Sequence, residues 1–548
     1  MRVDKEEYSK AALDQIPRLL GNMDRNPFSS SYGCFHRDYW LDKTSDFPDA
    51  VRQFGTQALA LVYSIDIPGN IYFKQKKVLD WTIAAMDFWC SIQHKDGSFD
   101  EFYPNERGWV GPTAFTTYSI IESFELIKDE IPIEISNKIK KSIKKAAYFI
   151  SEGDKEEDHL ANHHAMACLA VWKSYKLLGC EDLFTAYKNL WKGFLNYHIA
   201  KEGWSIEYDG IDPGYLSATI SFLGKIYQDN QDEEIKEVCL SSIETCSYFA
   251  YPNGFYAGSL GSRNTLHFYP HGFEIFGKSS QISQLVADKM LEGLSEGKLV
   301  PPNIMSDRYV FYRVPEFLQS YMDYSERTEV TNLLPFDKDN LYKFFDIAKV
   351  WAKSNDKHYC VVNASKGGVI KIFNKESKKL ILNDCGIIGK LDSGRMVTSQ
   401  WIDPNYSISQ NINSCTIKGR LNLVPSNKYF NVQKQIMFRS FLFIFGWYPP
   451  LAHSLKGWIR KILMLGSRPI DIWFERSISL SDDGFLVKDK IKNISKFKII
   501  NLSIGDEFFV RYVPQSRYFQ SQELDIKGKN ISNEKIEEIN SSIKWIKI

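Results

Sequence analysis

Three short stretches hold most of the residues able to move a proton or grip an anion. In "DHLANHHAMACLAVW", Asn162, His163 and His164 stand at the start of an apolar helical pattern. Asn caps helices well, and a histidine at a helix end often only packs. Turned into a cleft, the same amide can hydrogen-bond a carboxylate, and a histidine can act as a base near neutral pH. In "SIEYDGIDPGYLSAT", Tyr208, Asp209, Asp212 and Tyr215 crowd around two glycines and a proline. A phenol titrates near 10, so Tyr215 needs help from its neighbours to carry a proton; otherwise it is a packed tyrosine with a satisfied hydroxyl. The third stretch, "GSRNTLHFYPHGFE", offers Arg263, Asn264, His267, Tyr269, His271 and Glu274. Arg263 can clamp a carboxylate with two parallel hydrogen bonds. A metal reading of His267, His271 and Glu274 is weakened by Pro270 and Gly272, which break the helix that i, i+4 spacing requires, and H-E-x-x-H is absent. No metal and no cofactor are expected.

Helices must position these residues. Up to about residue 330, apolar residues recur at helical spacing in segment after segment, among them "KVLDWTIAAMDFWCSI", "NKIKKSIKKAAYFI" and "YLSATISFLGKIY". An irregular repeat accompanies them: a Gly turn, often beside Asp, then an aromatic-rich loop, then an amphipathic helix. "HKDGSFDEFYPNERGWVGPTAFTTYSII", "KEGWSIEYDGIDPGYLSATISFLGKIY" and "YPNGFYAGSLGSRNTLHFYPHGFEIFG" are copies. The spacing, about 40 to 60 residues per helix pair, is too loose for a short solenoid repeat. It suits helical hairpins in a ring, an α/α toroid, whose loops entering the inner helices meet at one mouth. Trp109 lies on such a loop, as a platform for a sugar ring.

From about residue 345 the pattern changes to period two with β-branched residues and Gly, Asn or Asp turns, as in "FERSISLSDDGFLVKDKIKN". The expected fold is α+β and multidomain: an α/α toroid over 1–335, then an antiparallel β-sandwich over 336–548. "SERTEVTNLLPFDKDN" reads as the linker. "SFLFIFGWYPPLAHSL", residues 440–455, is uncharged and apolar but broken by Gly446, Pro449 and Pro450. It is too short for a spanning helix. It reads as a buried strand and turn before a core helix, or as an interfacial patch with the basic "KGWIRKILMLGSR" that follows.

The 548 residues carry a formal net charge of +1, which gives no footprint for nucleic acid. The nine cysteines are odd in number and form no C-x-x-C. That argues against a disulfide framework or a thiolate zinc site and for a reducing compartment. The N-terminal "MRVDKEEYSKAALDQIPRLL" lacks the apolar core of a secretory signal. A cytoplasmic location is expected, with peripheral contact at the inner face of a membrane as an option. The aromatic content of 14% fits a large core or a sugar-binding cleft.

The three stretches together hold a carboxylate clamp, amide donors, and His and Tyr as proton carriers. That inventory suits removal of the proton α to a carboxylate, as at C5 of a uronic acid, with Arg and Asn stabilising the enolate-like intermediate. Return of a proton on the opposite face gives epimerisation; loss of the C4 leaving group gives β-elimination. At this point the chain resembles polysaccharide lyases of the heparinase II/III, alginate lyase and chondroitin lyase type, and the related uronyl C5-epimerases, including dermatan sulfate epimerases. The resemblance covers most of the chain as architecture. Asn162 and His163 match the family's Asn-His pair, Tyr215 its catalytic tyrosine, and Arg263 the arginine that some members place near the carboxylate. "DGSFDEFYPNE" also resembles toroid proteins of bacterial surface-polysaccharide gene clusters. The resemblance implies a further His or Tyr from the sandwich; His358, Tyr359 and His453 are the candidates.

The absence of a signal favours modification of a growing or lipid-linked glycan, and so epimerisation over degradation. The expected catalytic set is Asn162, His163, Tyr215, His267 and His271. His164, Tyr208, Asp212, Arg263, Asn264, Tyr269, Glu274 and Trp109 are expected to contact the uronate-containing glycan. A glycoside hydrolase on the same toroid would need two carboxylates in the cleft, from Asp100, Glu101, Asp209 and Asp212. A non-catalytic glycan-binding protein is the third reading. A terpene-cyclase-like toroid lacks its D-x-D-D motif.

Overall fold

The computed structural model describes residues 4–548 apart from 106–108, 154–158, 330, 426–430, 449, 453, 456, 459–465, 482–483, 509–517, 526–527 and the side chain of 525. Twelve helices form two concentric rings. The outer helices are α1 (Glu6–Leu13), α3 (Lys76–Ser91), α5 (Ile133–Gly153), α7 (Glu181–Leu195), α9 (Glu233–Ser247) and α11 (Gln281–Ser295). The inner helices are α2 (Gly55–Ser64), α4 (Val110–Ile127), α6 (Ala161–Leu178), α8 (Pro213–Asn230), the short α10 (His271–Ile275) and α12 (Asp307–Met322). Each inner helix packs on the next, and α12 closes the ring against α2. The N-terminal α1 packs on α12 and completes the sixth pair.

The sequence sorts the helices between the rings. In α5, Ser136, Ile139, Ile143, Ala146, Ala147 and Ile150 form one buried stripe, and Lys138, Lys140, Lys141, Lys144 and Lys145 hold the other face in water. That is an outer helix. In α2 every residue from Gly55 to Tyr63 is buried, and α4 is nearly as enclosed. Such helices have no polar face to offer solvent and must sit inside. The repeated glycine turns lock the loops in place. Gly97 and Gly203 adopt φ of +95° and +65°, which a side chain resists. A Cβ on Gly97 would lie 2.4 Å from the carbonyl oxygen of Lys145, and one on Gly203 would lie 2.3 Å from that of Ser241. Each turn is therefore wedged against the backbone of the next outer helix. Gly33 and Gly254 take the same place against α3 and α11.

The β region begins with a five-stranded antiparallel sheet in chain order: Tyr342–Phe345, Val350–Ser354, His358–Asn363, Val369–Asn374 and Leu380–Asp384. Its three central strands are buried on both faces. Trp351, Cys360, Val362, Ile370 and Ile372 face the second sheet, whereas Ala352, Tyr359, Val361, Val369 and Phe373 join the core of the toroid. The second, nine-stranded sheet centres on Ser414–Leu423, Pro469–Ser481 and Gly484–Asn493. Buried Arg476 pairs with Asp384 of the first sheet at 2.8 Å and with Asp489 of the second at 2.8 Å, pinning the sandwich from within. Among the described residues no helix is long and apolar enough to cross a membrane.

One local expectation gains detail and one needs correction. The segment read as a linker is tied down at its start. Arg327 is 3% exposed and binds Glu274 and Asp288, each at 2.7 Å. Residues 440–445 are not a strand. They end a helix, Val432–Phe445, that projects between two neighbouring strands with most of its apolar residues in solvent. The C-terminal tail forms a helix, Asn533–Ser541, and a two-residue strand, Ile546–Lys547.

Candidate active site

Alternation of inner and outer helices makes the inner ones parallel, so their N-terminal ends share one mouth. The three stretches singled out above enter the ring at those ends. Their helix dipoles add partial positive charge there, a favourable setting for an anion.

The centre of the cluster is a hairpin of two strands, Trp204–Glu207 and Gly210–Ile211, in which Glu207 pairs with Gly210. Tyr208 takes a left-handed conformation (φ +62°) at the turn, a position usually given to glycine. The Arg263 guanidinium lies 3.7 Å from the centre of the Tyr208 ring and 5.8 Å from that of Tyr215. Arg263 is 2% exposed, and its Nε is buried without a hydrogen-bond partner. Asp212 caps α8 through the Tyr215 N–H at 3.2 Å and accepts the Arg263 N–H at 2.8 Å on its other oxygen. One carboxylate thus fixes both the tyrosine helix and the arginine loop.

Glu207 completes this group. Its Oε1 accepts both the backbone N–H and the side-chain amide of Asn162, each at 2.7 Å. Its Oε2 is buried with no hydrogen-bond partner. Burial pushes the carboxyl up to about 8, against the pull of the two Asn162 bonds and of Arg263. At neutral pH it is mostly protonated. Burial also raises the Tyr215 phenol well above its ordinary value, opposed by Arg263.

Aromatic rings extend the mouth. His163 is half-buried, stacked on Trp109 with centroids 6.0 Å apart and edge-on to Phe115 at 5.6 Å. Phe115 continues to Tyr312, and Tyr312 to Tyr309. His267 stacks on Tyr309 at 5.2 Å and meets the edge of Tyr518 at 5.4 Å. Tyr269 borders Phe222 and lies under the Arg313 guanidinium at 4.5 Å. Trp109, Phe115, Tyr215, Tyr309 and Tyr312 are only partly buried as residues, as a lined cleft requires.

The geometry therefore brings Trp109, Asn162, His163, Tyr208, Asp212, Tyr215, Arg263, His267 and Tyr269 into one neighbourhood. It removes four expected residues. His164 is turned away and stacks on Tyr197 at 4.4 Å. Asn264 faces the sandwich, where its side-chain oxygen accepts from Lys366 Nζ. His271 is held by Asp323 at 2.6 Å, and burial lowers its pKa. Glu274 is fully engaged: Oε1 accepts from Tyr8 and Arg327, and Oε2 accepts from Ser325 and Arg327. His267, His271 and Glu274 accordingly point to three different sets of partners and do not converge on a metal.

The carboxylates of the hydrolase reading are mostly committed. Asp100 pairs with His94 at 2.9 Å, Glu101 with Arg308, and Asp212 with backbone N–H groups. From the sandwich, Tyr359 donates to the Tyr248 carbonyl inside the interface, and His358 lies edge-on to Phe485. His453 lies outside the described residues. Among the described residues of the β region, Tyr518 reaches the mouth through His267. Sequence reasoning missed it, together with Glu207, Tyr309 and Tyr312. Glu207 left a trace: it is an acidic residue ending the otherwise uncharged strand "WSIE", just before the turn. Tyr518 left none, because only the tertiary fold carries it to His267.

This architecture, an α/α toroid followed by an antiparallel β-sandwich, is that of known polysaccharide lyases. Residues 71–269 match the family model of the ulvan lyase N-terminal domain, a span that contains Asn162, Glu207, Tyr215 and Arg263. The chain is similar in fold to the Streptomyces coelicolor A3 chondroitin AC lyase solved with chondroitin sulphate. The TM-score is 0.52 at 9% identity, over 91% of this chain and 67% of that one. Shallower overlaps occur with a sugar epimerase from a ruminal bacterium (TM-score 0.43, 12% identity, 59% of this chain and 99% of that one). An unsaturated glucuronyl hydrolase specific for heparin overlaps to a similar degree (TM-score 0.40, 12% identity, 58% and 96%). No curated protein matches the sequence.

Proposed function

We propose that this chain is a carbohydrate-active enzyme that removes the C5 proton of a uronic acid residue in a polysaccharide or a lipid-linked glycan. The observation that carries the reading is the buried Arg263 between Tyr208 and Tyr215, beside Glu207, which Asn162 holds from one side and whose carboxyl burial pushes up to about 8. A uronate carboxylate seated there meets the guanidinium and the free side of Glu207, whose hydroxyl donates a hydrogen bond. Both contacts strengthen as the carboxylate takes up charge from C5, which lowers the barrier to proton removal.

Tyr215 in its raised state is a protonated phenol, suited to give a proton. His163, half-exposed on the Trp109 ring, is the group suited to accept one. Donor and acceptor come from different inner helices, α8 and α6, so they can address a sugar from two sides. This supports C5-epimerisation over β-elimination. The partly buried Trp109, Phe115, Tyr309 and Tyr312 offer stacking surface to the flanking sugars.

Incubation with uronate-containing glycans in heavy water, followed by NMR, tests the reading. Deuterium at C5 in an uncleaved chain is the expected result. An unsaturated product absorbing in the ultraviolet would assign elimination instead. Absence of both exchange and cleavage across uronate substrates would overturn the proposal. Tyr215→Phe should lower turnover by about 10²–10⁴-fold, the usual share of a general acid or base.

A further inference from the structure

The loop joining strands Ser414–Leu423 and Pro469–Ser481 is far longer than a hairpin needs, and it carries the helix Val432–Phe445. This helix is turned inside out. Its anchoring side is Phe438, which meets Tyr103 edge-on at 4.7 Å, Arg439, which binds Asp46, and buried Leu442. These residues recur at helical spacing and fix the helix against the toroid. The rest of the helix faces solvent and, beside Gln433, Lys434 and Ser440, exposes large apolar side chains: Val432 is 76% exposed, Met437 71% and Phe443 80%. Ile436, Ile444 and Phe445 continue this surface, and Trp447, Tyr448 and Trp458 beyond the helix are exposed as well. A soluble surface seldom leaves so many large apolar side chains together without something to cover them.

Charge says what covers it. The chain as a whole is near neutral, at +1, yet residues 404–470 contain no Asp or Glu. Within that span Lys428, Lys434, Lys456, Arg460, Lys461 and Arg468 flank or interrupt the apolar run in sequence. Two copies of a segment so basic and without a single acid repel each other, which opposes self-association through it. An anionic bilayer accepts both components at once. Apolar side chains enter the boundary of the acyl region, Trp and Tyr settle at headgroup depth, and Lys and Arg meet lipid phosphates.

We propose that this projecting helix and the exposed Trp447, Tyr448 and Trp458 form a docking surface for an anionic membrane. The protein lies on the bilayer and does not cross it. The surface adjoins the mouth of the toroid: Tyr103, which receives Phe438, neighbours Phe102, and Phe102 stacks on Trp109 with centroids 5.4 Å apart. Docking therefore brings the Trp109 side of the cleft close to the lipid surface. The inference stands on the exposed patch and the basic segment that carries it, and holds whichever reaction the cleft performs.

The test is co-sedimentation of the full chain with phosphatidylcholine vesicles, with and without about 30 mol % phosphatidylglycerol, at low and high salt. Binding to the anionic vesicles is expected to be at least tenfold tighter than to the neutral ones and to weaken in high salt. The double variant Met437→Glu, Phe443→Glu should lose that binding tenfold or more. Both side chains are exposed, so thermal unfolding and turnover of a soluble substrate should match the parent. Failure of the parent to bind anionic vesicles would overturn the proposal, as would undiminished binding by the double variant. So would a dimer of the parent in sedimentation velocity that the double variant abolishes, because the patch would then be covered by a second copy.

Discussion

Glu207 is the residue whose chemistry depends most on where it is buried. An exposed carboxylate titrates near 4, and this one is held near 8 by loss of water. A raised folded-state value means that the folded protein keeps its proton where the unfolded chain releases it. The associated stability is therefore fully present below the ordinary value of 4.5 and is lost as pH rises through about 8. Glu207→Gln cannot ionise. Denaturant unfolding across this window should show wild-type stability falling with pH, by at most about 1.4 kcal/mol per unit from this group, and a flatter profile for the variant. The same ionisation should weaken substrate binding, because a carboxylate at Glu207 repels a uronate. KM should climb on the alkaline side of about 8, and Glu207→Gln should remove that climb. A KM profile identical in both proteins would take Glu207 out of carboxylate recognition.

At the scale of elements, the start of α4 shows how a helix terminus shapes the site. Gly111 lies in its first turn, and a Cβ there would come within 2.7 Å of His163 Cε1 and 3.0 Å of Trp109 Nε1. Its φ is ordinary; the glycine is needed for space. Gly111→Ala should push the His163 ring off its Trp109 stack while leaving the buried body of α4 intact. Turnover should fall by roughly tenfold or more, since misplacing a catalytic group by about 1 Å can cost up to 10²-fold, with the far-ultraviolet circular dichroism unchanged. Full activity in Gly111→Ala would argue against His163 as the proton acceptor. The glycine turns at Gly97 and Gly203 work differently, since they meet the backbone of outer helices and hold the loops that carry Phe102 and Glu207.

The whole molecule couples toroid to sandwich under the arginine loop. Lys366, 2% exposed, sends its ammonium group across the interface to the carbonyls of Ser259 at 2.8 Å and Gly261 at 2.6 Å, and to Asn264. Asn363 adds a bond to the Leu260 carbonyl at 2.7 Å. These acceptors flank Arg263, so the sandwich holds the loop from which the guanidinium reaches the mouth. Lys366→Met would take a donor from all three acceptors and leave the Gly261 carbonyl only its 3.3 Å bond from the Asn264 N–H. It should cost about 2–4 kcal/mol in denaturant unfolding and lower kcat/KM although Lys366 touches no reacting group. Lys375→Met, which breaks the bridge to the exposed Asp339, should change stability by less than about 1 kcal/mol. Equal, small effects of both variants would mean that the interface does not position Arg263.

The toroid and the sandwich were legible before any coordinates, because hydrophobic periodicity reports which side of each element must avoid water. Alternation of Ile139, Ile143 and Ile150 with lysines marks an outer helix, and the apolar run Ala58–Tyr63 of α2 marks an inner one. The polar clusters around Asn162, Tyr215 and Arg263 were legible as well, since such groups gather at the ends of apolar helices only where a cap or a site needs them. What one residue does with its neighbour was decided elsewhere. His271 and Glu274 look as capable as Arg263 in one dimension, yet Asp323 and Arg327, some fifty residues away in sequence, already satisfy them. Glu207 drew no notice as the end of a short strand, and burial beside Asn162 changes its protonation state. The sequence by itself determined which segments turn away from water and which polar residues enter at the mouth. Only the tertiary structure decided which of those polar residues find partners within the protein and which stay free for a ligand. Satisfaction of a buried polar group depends on atoms brought within about 3 Å, and no pattern along the chain records that distance.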